Sequence, residues 1–232
     1  MLRSTEPSDT PHLWILPAKQ QRSMQTRDRL LAAGRQLLDQ GGFDETSIAA
    51  LARQAGCSVG SFYSRFHDKE AFYQAVLVSM EAHLLQRMQS EVNTATVAQL
   101  SAAATVDACL NALIGMFSDH AGLLRTMQRK NIERPQASVP LQSLGQALIA
   151  HMVGLIAARY GESGNPAFRH NLGVGFQIAF AICINGVMNH PPLLNPESRD
   201  YRFWIREVVM LALSVRHAPP PAQPVRLARH AA

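Results

Sequence analysis

The chain has 232 residues, which is enough for one domain or two modest ones. Hydrophobic residues make up 47% of it and charged residues 17%, so the composition excludes a disordered chain and predicts an ordinary globular core. The formal net charge is +5, but residues 1–84 hold nine basic and nine acidic side chains, so the excess lies in residues 85–232. Any nucleic-acid site in the N-terminal part must therefore depend on individual side chains, not on bulk charge.

The cysteine content argues against disulfides and metal sites. Cys57, Cys109 and Cys183 are odd in number and far apart, and they form no CxxC pair. We expect three buried thiols, no zinc site or other metal, and no cofactor.

Membrane insertion and secretion are not expected. The longest apolar run, residues 174–188, is interrupted by Gln177 and Asn185 and is shorter than the roughly 20 apolar residues that cross a bilayer. The N-terminus lacks the apolar segment and cleavage site of a signal peptide. We therefore expect a soluble, cytoplasmic protein with no membrane partner.

The pattern between the two ends of the chain favours helices throughout. Period-two runs of β-branched residues are missing, so we predict an all-α fold of about nine helices. Gly41-Gly42 and Gly56 end the first two helices, Thr46 or Ser47 caps the second, and Asp68 caps the fourth. The predicted spans are about 24–40, 47–55, 58–65, 69–91, 97–119, 121–130, 140–160, 166–189 and 199–216.

The third helix is short and has two different sides. Ser58 is its expected N-cap, and helical spacing divides the residues that follow. Val59, Phe62 and Phe66 form an apolar side, whereas Gly60, Ser61 and Ser64 form a side of small residues.

Two short helices joined by a tight turn form the helix-turn-helix arrangement, whose second helix enters the DNA major groove. Gly60 lets the backbone approach, and the serine hydroxyls can bond phosphates or base edges. Tyr63 and Lys69 are placed to reach phosphate oxygens. Further phosphate candidates at the start of the first helix are Arg22, Arg27 and Arg29.

The stretch 44–77, DETSIAALARQAGCSVGSFYSRFHDKEAFYQAVL, matches a known pattern most closely at Ala55, Gly56, Ser58, Gly60, Tyr63, Phe66, Lys69 and Glu70. Cys57 and Phe62 stand where that pattern usually has Val and Leu, and both are conservative exchanges. Through these residues the chain resembles the N-terminal signature of the TetR family of bacterial transcription regulators. The resemblance covers residues 23–77, about a quarter of the chain.

The resemblance implies an N-terminal helix-turn-helix DNA-binding domain and a C-terminal domain for effector binding and dimerisation. It implies a homodimer on double-stranded DNA with a palindromic operator, released by a small-molecule effector. Arg65 stands where the family often has His, and it can instead pair with Glu70 or remain solvated. The DNA contacts that the resemblance assigns by position are Thr46, Ser58, Val59, Gly60, Ser61, Tyr63, Arg65 and Lys69.

We predict four segments: a flexible arm (1–22), the DNA-binding domain (23–77), the effector and dimerisation domain (78–217), and a flexible Pro-rich tail (218–232). Dimerisation is expected through helices 166–189 and 199–216, with Gly173, Gly175, Ala179 and Ala181 allowing close approach. The second of these helices carries an apolar stripe, which alternatively packs within the chain. Methionine adapts to varied shapes, which suits a pocket for a largely apolar effector. The candidate pocket residues are Met80, Met116, Phe117, Met127, His151, Met152 and Phe176.

Two other interpretations remain open. One is a DNA-binding regulator without an effector, and the other is a small-molecule-binding enzyme that carries a helical hairpin. No GxSxG, HExxH or Walker motif occurs, so no catalytic residue is assigned.

Overall fold

The computed structural model describes residues 21–133 and 139–215, and within these ranges every regular element is a helix. The all-α prediction is confirmed. A one-turn helix, α5, precedes the sixth helix in addition to the nine predicted ones. The helices of the described chain are α1 (Gln21–Asp39), α2 (Ile48–Gln54), α3 (Val59–Tyr63), α4 (Lys69–Glu91), α5 (Thr94–Val97), α6 (Ala102–Asp119), α7 (Ala121–Glu133), α8 (Val139–Arg159), α9 (Pro166–Asn189) and α10 (Asp200–Ser214).

The predicted N-terminal arm and Pro-rich tail lie outside the described residues, except that α1 already begins at Gln21. The described chain divides into two compact units. Unit 1 runs to Gln86 and also includes His120–Leu144, whereas unit 2 comprises Arg87–Asp119 and the residues from Gly145 onward. Helix α7 therefore belongs to the same unit as α1, α2 and α3. The predicted boundary near residue 77 stays a prediction.

The core of unit 1 is built on the predicted apolar stripe of α1. Leu30 and Leu38 are fully buried, and Leu37 is nearly so. Gly34 allows α4 to approach, because a Cβ atom there would lie 2.7 Å from the ring of Phe72. A glycine inside this helix costs about 1 kcal/mol in propensity, and the close packing of α4 explains its presence.

The core of unit 2 centres on the pairing of α9 with α10. A Cβ atom on Gly175 would lie 2.7 Å from the Cβ of Ala212, and Ala179 is fully buried. The small residues at 175 and 179 therefore serve packing within one chain. This corrects the expectation that they permit close approach of a second chain.

Polar groups secure the same pair of helices. The Asn171 amide donates to the carbonyl of Val215 at 2.8 Å. Burial raises the pKa of the Cys183 thiol to about 11, although its hydrogen bond with Tyr201 acts in the opposite direction. Burial likewise raises the pKa of the Tyr201 hydroxyl.

Helix α9 is long and apolar enough to cross a bilayer by length and composition alone. This corrects the judgement made on residues 174–188, because the whole helix is longer than that run. Of its most apolar 18-residue window, 44% is buried within the protein. A core helix passes the same test, so its apolar character is accounted for in part by packing against α10.

Candidate nucleic-acid interface and ligand grooves

The turn between α2 and α3 is built by two serine caps and one glycine. Ser47 caps α2 by accepting from the Ala50 N–H at 3.1 Å, and Ser58 caps α3 by accepting from the Ser61 N–H at 3.1 Å. Gly56 has a φ of +64°, which few other residues adopt without strain. The two helices are thereby held in the predicted helix-turn-helix order.

Aromatic packing fixes the inner side of α3. Phe62 and Phe66 are fully buried, and their ring centroids lie 5.3 Å and 4.9 Å from that of Phe72 on α4, in edge-to-face geometry. Such pairs contribute about 0.5–1.5 kcal/mol each beyond the area they bury. The short helix is thus rigidly backed even though it has few internal hydrogen bonds.

The outer side of α3 is open. Tyr63 is 51% exposed, and Ser58, Gly60 and Ser64 are exposed as well. Val59 is 40% exposed, which corrects its expected place beside Phe62 on the apolar side. It lies one turn from Tyr63 on the outer side, where its assignment as a DNA contact requires it to be.

Gly60 has no packing reason to be a glycine. A Cβ atom there would meet only the Ser58 Oγ, at 3.9 Å, and its φ is not in the left-handed region. The fold of the chain accommodates a side chain at this position. The missing side chain therefore leaves room on the outside of α3.

Arg65 ties α3 to the start of α1. Its Nε donates to the Ser23 carbonyl at 3.1 Å and its Nη2 to the Ser23 hydroxyl at 2.9 Å, while Nη1 donates to the carbonyl of Ser61 and the hydroxyl of Ser64. Four of the five guanidinium donors are thus used within unit 1. Sequence reasoning missed this tie, because its partners lie 42 positions away. A DNA contact by Arg65 stays a prediction.

Lys69 is held at the first turn of α4. Its ammonium donates to the Asp44 carbonyl at 2.7 Å and lies 5.2 Å from the centre of the Phe43 ring. Asp68 caps the helix, as predicted, by accepting from the Ala71 N–H at 2.7 Å. The lysine is therefore positioned by contacts on the same unit as α3.

The remaining candidates for phosphate contact lie near the start of α1 and α2. The Thr46 hydroxyl donates to the Gly42 carbonyl at 2.7 Å, so its oxygen lone pairs remain as acceptors. Arg27 forms an ion pair with Asp28 at 3.1 Å. Arg29 is exposed and donates to the Thr26 hydroxyl at 3.4 Å.

The seven residues predicted to line an effector pocket are divided between the two units. Met80 and Met127 lie in unit 1, and both are buried. The others lie in unit 2, where His151 is half-buried and lines a groove. The buried ones in unit 2 are Met116, Phe117, Met152 and Phe176.

Unit 2 contains two grooves. The first, which we call the α5–α8 groove, has a volume of about 560 Å³ and is lined by small and apolar side chains together with His151 and Arg159. The His151 Nε2 lies 2.7 Å from the Val92 carbonyl, and Arg159 donates to the Leu100 carbonyl. The second, which we call the α8–α9 groove, has a volume of about 630 Å³. Among the described residues, no group of three or more His, Cys, Asp or Glu side chains is placed to hold a metal ion.

The short helix α3, backed by an aromatic core and open on its outer side, defines a helix-turn-helix domain. Residues 30–76 match the family model described as bacterial regulatory proteins, tetR family. The chain therefore carries the N-terminal DNA-binding domain of the TetR family.

Relatives with assigned roles align with the same region. The chain is 31% identical over 67 residues to the HTH-type transcriptional regulator UidR of Escherichia coli K12, covering 29% of this chain and 34% of that protein. It is 43% identical over 63 residues to the HTH-type transcriptional repressor NemR of the same strain, covering 27% and 32%. The match thus spans about a third of the length of these curated relatives.

Solved structures resemble the fold over most of the chain. Salmonella enterica GusR has a TM-score of 0.60 at 19% identity, covering 85% of this chain and 100% of that one. Thermus thermophilus FadR, a TetR family transcriptional repressor in complex with lauroyl-CoA, has a TM-score of 0.56 at 22% identity, with coverage of 85% and 100%. At these identities the likeness concerns the fold alone.

Proposed function

We propose that this chain is a cytoplasmic DNA-binding transcription regulator, and not an enzyme, that acts as a homodimer on a near-palindromic operator. The outer side of α3 carries this proposal: it presents small and polar side chains on a helix whose other side is locked into an aromatic core. A helix of this kind can lie in a major groove about 12 Å wide.

The residues of this surface have separate roles. Gly60 lets the helix backbone come close to the bases, and Ser61 and Val59 contact base edges. Tyr63 and Lys69 bind phosphates, which position the protein without specifying sequence. Ser58 and Thr46 add phosphate contacts at the helix starts.

The sharpest test is Gly60→Leu. Because nothing in the fold occupies the space beside Gly60, the variant should keep the wild-type unfolding temperature. Its bulk blocks approach to the groove, and the loss of several base and phosphate contacts predicts a decrease in operator affinity of about 100-fold or more. Gly115→Leu in α6 is the matched control, because that glycine also faces open space. An unchanged affinity for Gly60→Leu would refute the proposed groove face.

The operator itself is identified by selection from random duplexes. Two heads related by a two-fold axis predict an inverted repeat with half-sites about one helical turn, 34–36 Å, apart or a multiple of it. A single non-repeated site would contradict the dimer.

Exposed apolar side chains support dimerisation through α9 and α10. Val174 and Ile178 are each 45% exposed on α9 and lie one turn apart. On α10, Trp204 is 51% and Leu211 68% exposed, and helical spacing places them on one side. Such contiguous apolar surface marks interaction sites on soluble proteins. This apolar surface of α10 faces outward, so the alternative that it packs within the chain is not favoured.

The effector is proposed to be small and largely apolar, and the α5–α8 groove is its proposed site. That groove is lined by Val97, Gly154 and Leu155, with His151 as a polar contact. A ligand that releases DNA must bind the DNA-free form more tightly, so DNA must weaken the ligand by the same factor. A compound found by thermal-shift screening is therefore titrated with and without operator. Equal affinity in both titrations would favour the alternative of a regulator without an effector.

A further inference from the structure

We infer that the α8–α9 groove of unit 2 is a binding site for a small organic anion with an apolar body. The groove lies between the last turns of α8 and the first turns of α9 and has a volume of about 630 Å³. Ligand sites of drug-sized molecules have volumes of about 300–1,000 Å³. The site is separate from the DNA-binding face and from the α5–α8 groove, with which it shares only Ala150.

The walls of the groove combine apolar and cationic groups. Ile149 and Val153 of α8 face it together with Val174 of α9. Arg169 and His170 lie in its lining at the α9 end, and no carboxylate is among the residues that line it. The groove therefore offers an apolar surface beside a positive charge.

The two basic side chains are available to a ligand. Within residues 21–133 and 139–215, neither the Arg169 guanidinium nor the His170 ring makes a hydrogen bond or ion pair. Other arginines of unit 2 are engaged: Arg206 donates to Asp107 at 2.7 Å, and Arg87 bridges two acids. Glu162, the acid nearest along the chain, accepts instead from the Asn165 amide at 2.9 Å.

The chemistry of the ligand follows from these groups. A guanidinium matches a carboxylate through two parallel hydrogen bonds, and a half-buried one costs little to desolvate further. The apolar walls then favour an aliphatic or aromatic body over a compact inorganic anion. The C-terminal residues 216–232 are a poor occupant, because they contain three arginines and no acid and would place like charge beside Arg169.

Octanoate is a suitable probe, measured by isothermal titration calorimetry on the full chain without DNA. We expect octanoate to bind and octan-1-ol and octylammonium to bind at least about tenfold more weakly, because a charge-assisted pair is lost. Because no DNA is present, the outcome is independent of the proposed regulatory function.

Three variants locate the site. Arg169→Gln should weaken octanoate about tenfold or more, whereas Arg199→Gln, an exposed arginine with no side-chain partner among the described residues, removes the same charge elsewhere and should leave it within twofold. Gly173→Leu keeps all charges but places a side chain in the groove, and a Cβ there meets nothing within 4 Å, so the fold is retained. It should abolish binding. Absence of octanoate binding at millimolar concentration, equal binding of octan-1-ol, or equal losses for Arg169→Gln and Arg199→Gln would each overturn the inference.

Discussion

Gly122 lies where the start of α7 meets the end of α1, and substituting it should test that contact directly. A Cβ atom on Gly122 would lie 1.7 Å from the carbonyl oxygen of Asp39. Both sides of this contact are backbone, so no side-chain rotation can relieve it. Beside it, the His120 Nδ1 lies 3.0 Å from an Asp39 carboxylate oxygen, and Thr126 is fully buried one turn further along α7.

The expected effect of Gly122→Ala is the balance of two opposing terms. Alanine is favoured over glycine in a helix by up to about 1 kcal/mol. Overpacking in a well-packed contact costs typically about 1–3 kcal/mol, and a 1.7 Å approach to a carbonyl oxygen belongs at or above the upper end. The net expectation is a destabilisation of about 2 kcal/mol or more, equivalent to a decrease of about 4–8 °C in unfolding temperature for a protein of this size.

Differential scanning calorimetry of Gly122→Ala is paired with Gly115→Ala as control. Gly115 lies inside α6, and a Cβ there meets nothing within 4 Å, so alanine should stabilise the protein by up to about 1 kcal/mol. Opposite signs for the same chemical change are the diagnostic result. If both variants were stabilised, α7 would not be packed on α1, and its place in unit 1 would be wrong.

Other outcomes follow from the same structure. Tyr63→Phe and Lys69→Ala should weaken binding to all duplexes similarly, and losing Lys69 should reduce the salt slope of log affinity by about 0.9 per contact; a changed sequence preference in fluorescence anisotropy would contradict these roles. Leu211→Glu should shift sedimentation from dimer to monomer at unchanged helix content, because it places a charge within the apolar surface of α10. Thiol labelling at pH 8, followed by mass spectrometry, should modify the half-buried Cys57 first and leave Cys183 protected, because burial raises the pKa of the Cys183 thiol to about 11. The unfolding free energy should also decrease as pH rises above the ordinary thiol pKa of 9.0, since the unfolded chain then releases a proton that the folded chain retains. Labelling of Cys183 at the rate seen in denaturant would show that α9 opens.

The local signals in this sequence were strong enough to predict the helices. The bounds of α9 are those predicted from Pro166 and the residues that follow it, and Ser58 and Asp68 cap the helices that they were expected to cap. Each of these features depends on residues within one or two turns of one another. Such short-range chemistry is legible without knowledge of the fold.

Long-range features were not predictable in the same way. The placement of α7 against α1 depends on Gly122 meeting a carbonyl 83 positions earlier, and no periodicity marks that pairing. The methionines expected to line a pocket, such as Met152, are buried, because an apolar residue at helical spacing fits a core as well as a cavity. The grooves are instead lined by glycine and alanine, whose small size leaves space that a search for bulky apolar side chains overlooks.

The residues of α3 divide according to whether the fold requires them. Phe62 is fully buried among aromatic rings, and Arg65 supplies four hydrogen bonds within unit 1, so packing and satisfied donors account for both. Gly60, Val59 and Tyr63 have no such account, because a side chain at 60 would fit and two large apolar groups remain in solvent. Leaving apolar surface exposed forgoes about 25 cal/mol per Å² of burial, and glycine in a helix costs about 1 kcal/mol against alanine. The free energy forgone at these three positions is recovered only if something outside the chain covers them, and a nucleic-acid groove fits a helix with a flat outer side.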